Sequence, residues 1–183
     1  MLTMRYLIIS DIHGSFDAIK KIENIINENE IDKIICLGDV LYHGPRNDLP
    51  KDYSPKKVVV ALKKYLEKII FIKGNCDAEV DEMVLERKFS KRKKIHLFKK
   101  DFILTHGHHL SRFDIDETIK KGTIVLYGHY HVFDISLIDG VTYVNIGSTS
   151  IPKDGIPQYA IMDEKRIIVY NLDNGEIIGK LDF

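Results

Sequence analysis

Five short segments carry side chains that can do chemistry: Asp11-Ile12-His13, Gly38-Asp39, Gly74-Asn75-Cys76-Asp77, Thr105-His106-Gly107-His108 and Gly128-His129-Tyr130-His131. Within them Asp11, His13, Asp39, Asn75, His106, His129 and His131 offer carboxylate oxygen, amide oxygen and imidazole nitrogen, a donor set for divalent metal ions. These groups exceed what one ion at ordinary coordination takes, but shared through a bridging ligand they suit two. Asp39 is the natural bridge, since a carboxylate has two oxygens and the preceding Gly38 permits close backbone approach. Two cations about 3.5–4 Å apart acidify a shared water, so that a bridging hydroxide attacks phosphorus in line while the ions neutralise the non-bridging oxygens. The expected chemistry is metal-assisted hydrolysis of a phosphate ester. Oxygen and imidazole donors without thiolate fit Mn²⁺, Fe, Zn²⁺ or Ni²⁺ better than Ca²⁺ or Mg²⁺.

The elements that must position these groups are legible beside them. Each segment directly follows a β-prone apolar run: Tyr6-Leu7-Ile8-Ile9, Lys33-Ile34-Ile35-Cys36-Leu37, Ile69-Ile70-Phe71-Ile72, Phe102-Ile103-Leu104 and Ile124-Val125-Leu126-Tyr127. The ligands therefore fall at the carboxyl ends of successive strands, where α/β sheets place their sites. After the first strand, Ser15 can cap a helix reaching Glu28, with Ile19, Ile22, Ile25 and Ile26 at helical spacing. Ser54-Pro55 starts a second helix whose apolar face is Val58, Leu62, Tyr65 and Leu66. The resulting order β-α-β-α-β predicts a parallel sheet with right-handed crossovers. From residue 95 the pattern changes to short strands and turns, with Asp139-Gly140 and Asp173-Asn174-Gly175 as hairpin signals. The expected fold is α/β in an α+β four-layer form: two stacked mixed β-sheets flanked by helices, parallel in the first half and largely antiparallel in the second.

A chain of 183 residues is long enough to bury roughly 70% of the surface its unfolded form exposes. No glycine- or proline-rich linker divides it, so residues 1–183 read as one domain. Lys plus Arg (27) equals Asp plus Glu (27), which leaves no global field toward nucleic acid or an acidic membrane surface. No nucleic-acid module is recognisable, and the one basic run, Lys88 with Lys91-Arg92-Lys93-Lys94, reads as a solvated turn. Met1-Leu2-Thr3-Met4-Arg5 lacks the pattern of a cleavable leader, and no run of ~18 apolar residues could span a bilayer, so cytoplasmic residence is expected. Cys36 and Cys76 form neither a disulfide framework nor a metal-finger spacing, and Cys36 reads as a small core residue.

The ordered segments resemble the calcineurin-like metallophosphoesterase superfamily, whose signatures run Asp-x-His, Gly-Asp, Gly-Asn-His/Cys, His and Gly-His-x-His in this order. The likeness covers about residues 5 to 150. Within the superfamily, residues Gly38 to Asn47, Gly74-Asn75-Cys76-Asp77 and Ser148-Thr149-Ser150-Ile151-Pro152-Lys153 are similar to the bacterial YfcE-type phosphodiesterases. In that branch proline usually stands where Ile146 stands here. The resemblance implies one metal held by Asp11, His13, Asp39 and His131 and a second by Asp39, Asn75, His106 and His129. It further implies two divalent ions, Mn²⁺ foremost, and a small phosphodiester as substrate. Asn75 gains its ligand role mainly from this comparison.

One position departs from many superfamily members: Cys76 stands where a histidine can protonate the leaving oxygen. A thiol near its ordinary pKa of ~8.5 is a poor acid for that task, which shifts the expectation toward diesters with good leaving groups. His43 and Arg46, in the long loop after Asp39, are candidate contacts to substrate phosphate, and His108 is a third. His96 reads as a surface residue, and Asp77 as either a carboxylate that orients a ligand or a cap for the segment Ala78 to Glu86. The alternatives are a phosphomonoesterase or nucleotide phosphatase with the same metals, and a non-catalytic protein-binding scaffold such as the retromer subunit of this superfamily. Exposed C-terminal strand edges or the 40–53 loop could pair subunits into a homo-oligomer.

Overall fold

The computed structural model describes residues 4–183; Met1, Leu2 and Thr3 of the amino-terminal segment read above lie outside them. Strand β1 (Tyr6–Ile9) is buried at all four residues because its two faces pack on different partners. Leu7 and Ile9 meet the helices, while Tyr6 and Ile8 meet a second sheet. Strand β2 (Lys33–Cys36) repeats this division, with Ile34 and Cys36 toward the helices and Ile35 toward the other sheet. Burial on both faces is what turns these strands into unbroken apolar runs.

β1 and β2 pair in parallel, as do β2 and β3 (Ile69–Phe71). Helix α1 (Phe16–Glu28) makes the first crossover and begins where the Ser15 hydroxyl accepts the Ala18 N–H at 3.2 Å. Helix α2 (Pro55–Lys63) makes the second; Pro55 opens it, but the Ser54 side chain forms no capping bond. A third helix, α3 (Glu79–Leu85), follows β3.

The remaining strands are β4 (Arg92–Leu97), β5 (Lys100–Thr105), β6 (Ile124–Tyr127), β7 (Phe133–Ile138), β8 (Val141–Ile146), β9 (Gln158–Met162), β10 (Arg166–Asn171) and β11 (Ile177–Asp182). One sheet has the order β11-β10-β9-β1-β2-β3 and the other β4-β5-β6-β8-β7. The C-terminal strands thus return to extend the first sheet, antiparallel from β1 outward. The second sheet has a parallel centre, β5-β6-β8, between antiparallel edges. Asp139 and Gly140 both take positive φ, 51° and 83°, as a two-residue turn between β7 and β8 demands.

Phe102, Leu104, Leu126, Val144 and Ile146 of the second sheet pack against Ile8 and Ile35 of the first. All three helices contribute to the cluster on the opposite face of the first sheet. The outer face of the second sheet, with Val125, Tyr127 and Tyr143, is covered by Leu110 and Ile119 from the irregular 106–123 segment, so that layer is built of loop. Among the described residues no helix is long and apolar enough to cross a membrane. The carboxyl ends of the two parallel centres meet at one rim, where His106, just past β5, reaches the Leu37 carbonyl just past β2 through Nδ1 at 2.8 Å.

Candidate metal centre

At that rim the chain turns sharply. Asp11, His13, Asp39, His129 and His131 all sit in the left-handed region, with φ between 46° and 68°. For residues with a Cβ this costs about 1–2 kcal/mol each, and Asp and His are among the types that tolerate it best. The turns aim side chains that an extended strand would send to opposite faces at one point. Two glycines make room: a Cβ on Gly74 would collide with the Asp39 carboxylate, and one on Gly128 with the Ser10 hydroxyl and the Asp11 carboxylate.

Each carboxylate has one oxygen tied down. Asp11 Oδ2 accepts from Ser10 Oγ at 2.6 Å and from the His129 N–H at 3.0 Å. Asp39 Oδ1 accepts the Cys76 N–H at 2.8 Å. The other oxygens face imidazoles. Asp11 Oδ1 lies 3.2 Å from His131 Nε2 and 3.7 Å from His13 Nε2, and Asp39 Oδ2 lies 3.3 Å from His106 Nε2 and 3.7 Å from His13 Nε2. Asp39 Oδ2 is therefore set between two histidines.

The tautomers are fixed from outside. Nδ1 of His13, His106 and His131 donates to the carbonyls of Tyr42 (2.7 Å), Leu37 (2.8 Å) and Ile151 (2.7 Å). A neutral ring that donates from Nδ1 presents only a lone pair at Nε2. Yet His13 Nε2 and His131 Nε2 are 3.4 Å apart, and His106 Nε2 is 3.1 Å from Asn75 Oδ1. Acceptors thus face acceptors, and Asp11 Oδ1, wholly buried, has no hydrogen-bond donor among the described residues. Only positive charge reconciles them, and the donor set fits divalent metal ions. Ligand atoms of Asp11, His13 and His131, and of Asp11, Asp39 and His106, gather within 4.8 Å of one another.

Without ions the same demand falls on protons. Burial works against charge on His106, but Asp39 and Asp11 overcome it and raise its pKa to about 9. His13 is likewise raised by Asp11 against its burial. His129 is pushed down to about 4 by burial and by His106, so its ring stays neutral.

Asn75 is exposed and His129 half-buried, with the His129 ring 5.1 Å from that of His106. His129 is not part of the gathered ligand clusters, although its main chain holds Asp11. Cys76 is: its thiol lies within 4.8 Å of His13 and Asp39 ligand atoms, and burial together with Asp39 pushes its pKa up to about 12. Asp77 accepts the N–H groups of Asp39, Val40 and Gly74 at 2.8, 2.8 and 2.7 Å, which makes it an orienter of Asp39; capping of α3 falls to Asp81.

Outside the ligands lies a cleft of about 400 Å³ lined by Asp39, Asn75, Cys76, His129, His131, Arg46 and Lys153, among others. Arg46 stands on it. His43 and His108 do not line it: His43 packs edge-on to Tyr42 and Tyr53, and His108 lies against His109 and His106. His96 is exposed and bonded to Asp101 at 2.7 Å. The 145–153 segment also serves the centre. Ser148 and Ser150 hydroxyls both donate to the Asp11 carbonyl at 3.0 Å, and Asn145 donates to the Gly128 carbonyl at 2.9 Å. Neither serine nor Asn145 had a ligand-like signal, because they act on main chain.

Two stacked mixed sheets with a buried Asp/His centre at their joint rim define a metallophosphoesterase architecture, and the chain belongs to the calcineurin-like phosphoesterase superfamily, whose domain model matches residues 4–166. It is 34% identical over 180 residues to phosphodiesterase YfcE of Escherichia coli K12, covering 97% of each chain. It is 26% identical over 172 residues to phosphodiesterase MJ0936 of Methanocaldococcus jannaschii, covering 89% of this chain and 95% of that one. The solved structure of E. coli YfcE superposes with a TM-score of 0.93, covering 98% of this chain and 99% of that one. Vps29 of Cryptosporidium parvum shares the fold alone, at 16% identity, with a TM-score of 0.64 over 99% of each chain.

Proposed function

We propose that this protein, a single domain over residues 1–183, is a cytoplasmic phosphodiesterase that hydrolyses a small phosphodiester with two divalent ions. Asp11, His13, Asp39 and His131 hold one ion; Asp39, Asn75, His106 and His129 hold the other; Mn²⁺ is the first choice, ahead of Zn²⁺, Fe and Ni²⁺. The observation that carries the reading is the acceptor-only centre, in which Asp11 Oδ1, Asp39 Oδ2 and three Nε2 lone pairs converge without a donor. The 34% identity to a phosphodiesterase along nearly the whole chain supports the diester.

Bound there, such ions would supply Lewis acidity toward phosphoryl oxygens and lower the pKa of water. The chain's own residues do the rest. Asp77 fixes the Asp39 backbone, and the Ile151 carbonyl and Ser148 hydroxyl hold His131 and Asp11 in aim. Arg46 offers paired N–H donors to the non-bridging oxygens of a phosphate in the cleft. Cys76, its thiol held protonated, offers no strong acid to a departing alkoxide, which favours diesters whose leaving groups need no proton.

Metal analysis of the purified chain, with assays on bis-p-nitrophenyl phosphate and p-nitrophenyl phosphate in EDTA and in Mn²⁺, tests this. The expected result is two metal equivalents per chain and Mn²⁺-dependent hydrolysis with a higher kcat/KM for the diester. Asp39→Asn should lose activity and bound metal together. Preference for the monoester would select the phosphatase reading, and metal binding without hydrolysis of either would select the scaffold.

A further inference from the structure

Arg46 and Lys153 enter the cleft from different parts of the chain, the 40–53 loop and the segment after β8, and both line it beside Asn75 and His129. Neither forms an ion pair among the described residues. The acidic neighbour of Lys153 is otherwise engaged: Asp154 accepts from the Ile156 N–H at 3.1 Å and from Gln158 Nε2 at 2.9 Å. The Lys153 backbone is itself fixed, donating to the His131 carbonyl at 2.9 Å, so its side chain starts from a point tied to the metal centre.

Charge balance at the centre does not require these two cations. Two divalent ions against Asp11 and Asp39 leave two positive charges, which a monoanionic diester and its attacking oxygen already cancel. Two further cations on the same cleft would then face a neutral assembly, and a cleft that holds unpaired positive charge selects ligands that neutralise it. The cleft volume, about 400 Å³, lies in the range that takes a molecule larger than a bare phosphate.

Resting on the phosphodiesterase reading, we propose that Arg46 and Lys153 form a second anion subsite, and that the substrate is a phosphodiester carrying an additional phosphoryl group beside the scissile one. Lys153 is thereby a specificity-determining residue. Arg46 spans both tasks, reaching either the scissile phosphate or its neighbour, and Lys153 serves the neighbour alone.

The test compares two substrates with one leaving group: the p-nitrophenyl ester of thymidine 5′-phosphate, and the same ester bearing a 3′-phosphate. In the Mn²⁺-loaded wild type the 3′-phosphorylated ester should have the higher kcat/KM by about 10- to 100-fold, expressed mainly in KM. Lys153→Gln should remove most of that preference, and Lys153→Arg should keep it. Calorimetric titration with thymidine 3′,5′-bisphosphate and thymidine 5′-monophosphate gives a second readout that needs no turnover. Tighter binding of the bisphosphate, lost in Lys153→Gln, supports the subsite even if neither ester is hydrolysed, an outcome that would sink the phosphodiesterase reading alone. Equal binding of the two nucleotides by the wild type, or a preference unchanged in Lys153→Gln, overturns the subsite.

Discussion

His13, His106 and His131 are each anchored through Nδ1 to a main-chain carbonyl, and with Asp11 and Asp39 they are buried. Asn75 and His129 differ: the amide is exposed, the ring half-buried, and no ring hydrogen bond fixes His129 among the described residues. The centre therefore has an anchored part, set by the two sheets before any ion arrives, and an adjustable part on its solvent side. The difference teaches where folding energy goes. Left-handed turns at Asp11, His13 and Asp39 are held by neighbouring main chain, as in Asp11 N–H to Gly38 O at 3.0 Å and His13 N–H to Asp39 O at 2.9 Å. The strain of one ligand loop is offset by bonds to the next, so the anchored part is a joint product of β1 and β2.

The sharpest way to break the comparison is to remove one histidine from each part. His131→Ala should abolish the tighter of two metal-binding steps and lower kcat/KM by more than about 100-fold, the most expected from losing an outer partner of a ligand. His129→Ala should keep the first step, weaken the second and retain measurable activity at high Mn²⁺. Metal titration followed by mass spectrometry or calorimetry reads both. Equal losses from the two variants would mean that the parts do not differ.

A smaller effect is expected from the carboxylate beneath Asp39. Asp77→Ala leaves three backbone N–H groups without their acceptor, at a cost of about 3 kcal/mol or a Tm lower by about 6–12 °C. Metal affinity should fall by about 10- to 100-fold, because Asp39 loses the main-chain restraint that aims it. Thermal unfolding with and without Mn²⁺ separates the two contributions. Smaller again is Cys76→His, which places an imidazole on the adjustable side; the kcat/KM ratio of monoester to diester should rise, and an unchanged ratio would remove this position from any leaving-group role.

Much of the anchored part is legible in the sequence. Tyr6–Ile9, Lys33–Cys36 and Ile124–Tyr127 read as strands because both their faces are buried, and the ligand types follow them directly. What is not legible is what acts through main chain. Strand β9 lies beside β1 across most of the chain length, and nothing local in Gln158–Met162 announces that pairing. Ser148 and Ser150 reach the Asp11 carbonyl from 137 and 139 residues away. The short polar side chains that support the site lack ligand chemistry of their own, so only family resemblance marks Ser148 and Ser150, and a backbone turned to positive φ at a residue other than glycine carries no local signal. His43 misleads for the converse reason: an imidazole near a metal segment looks functional, yet its ring is used to pack against Tyr42 and Tyr53.

The smallest expected effect concerns the metal-free chain and distinguishes the two parts by their protons. His106, raised to about 9 by Asp39 and Asp11 against its burial, and His13, raised by Asp11, bind protons more tightly folded than unfolded. The stability they contribute is fully present below the ordinary histidine value of ~6.5 and is lost as pH rises through about 9. In EDTA the Tm should therefore fall by a few degrees across this window. With Mn²⁺ bound the ions take the place of those protons, and the slope should flatten. His129, pushed down to about 4 by burial and by its neighbour His106, is neutral throughout the window. His129→Ala should leave the EDTA slope as it was, while His106→Ala should reduce it. A slope that vanished with His129 instead would move the proton-binding charge to the adjustable side of the centre and undo the division drawn between them.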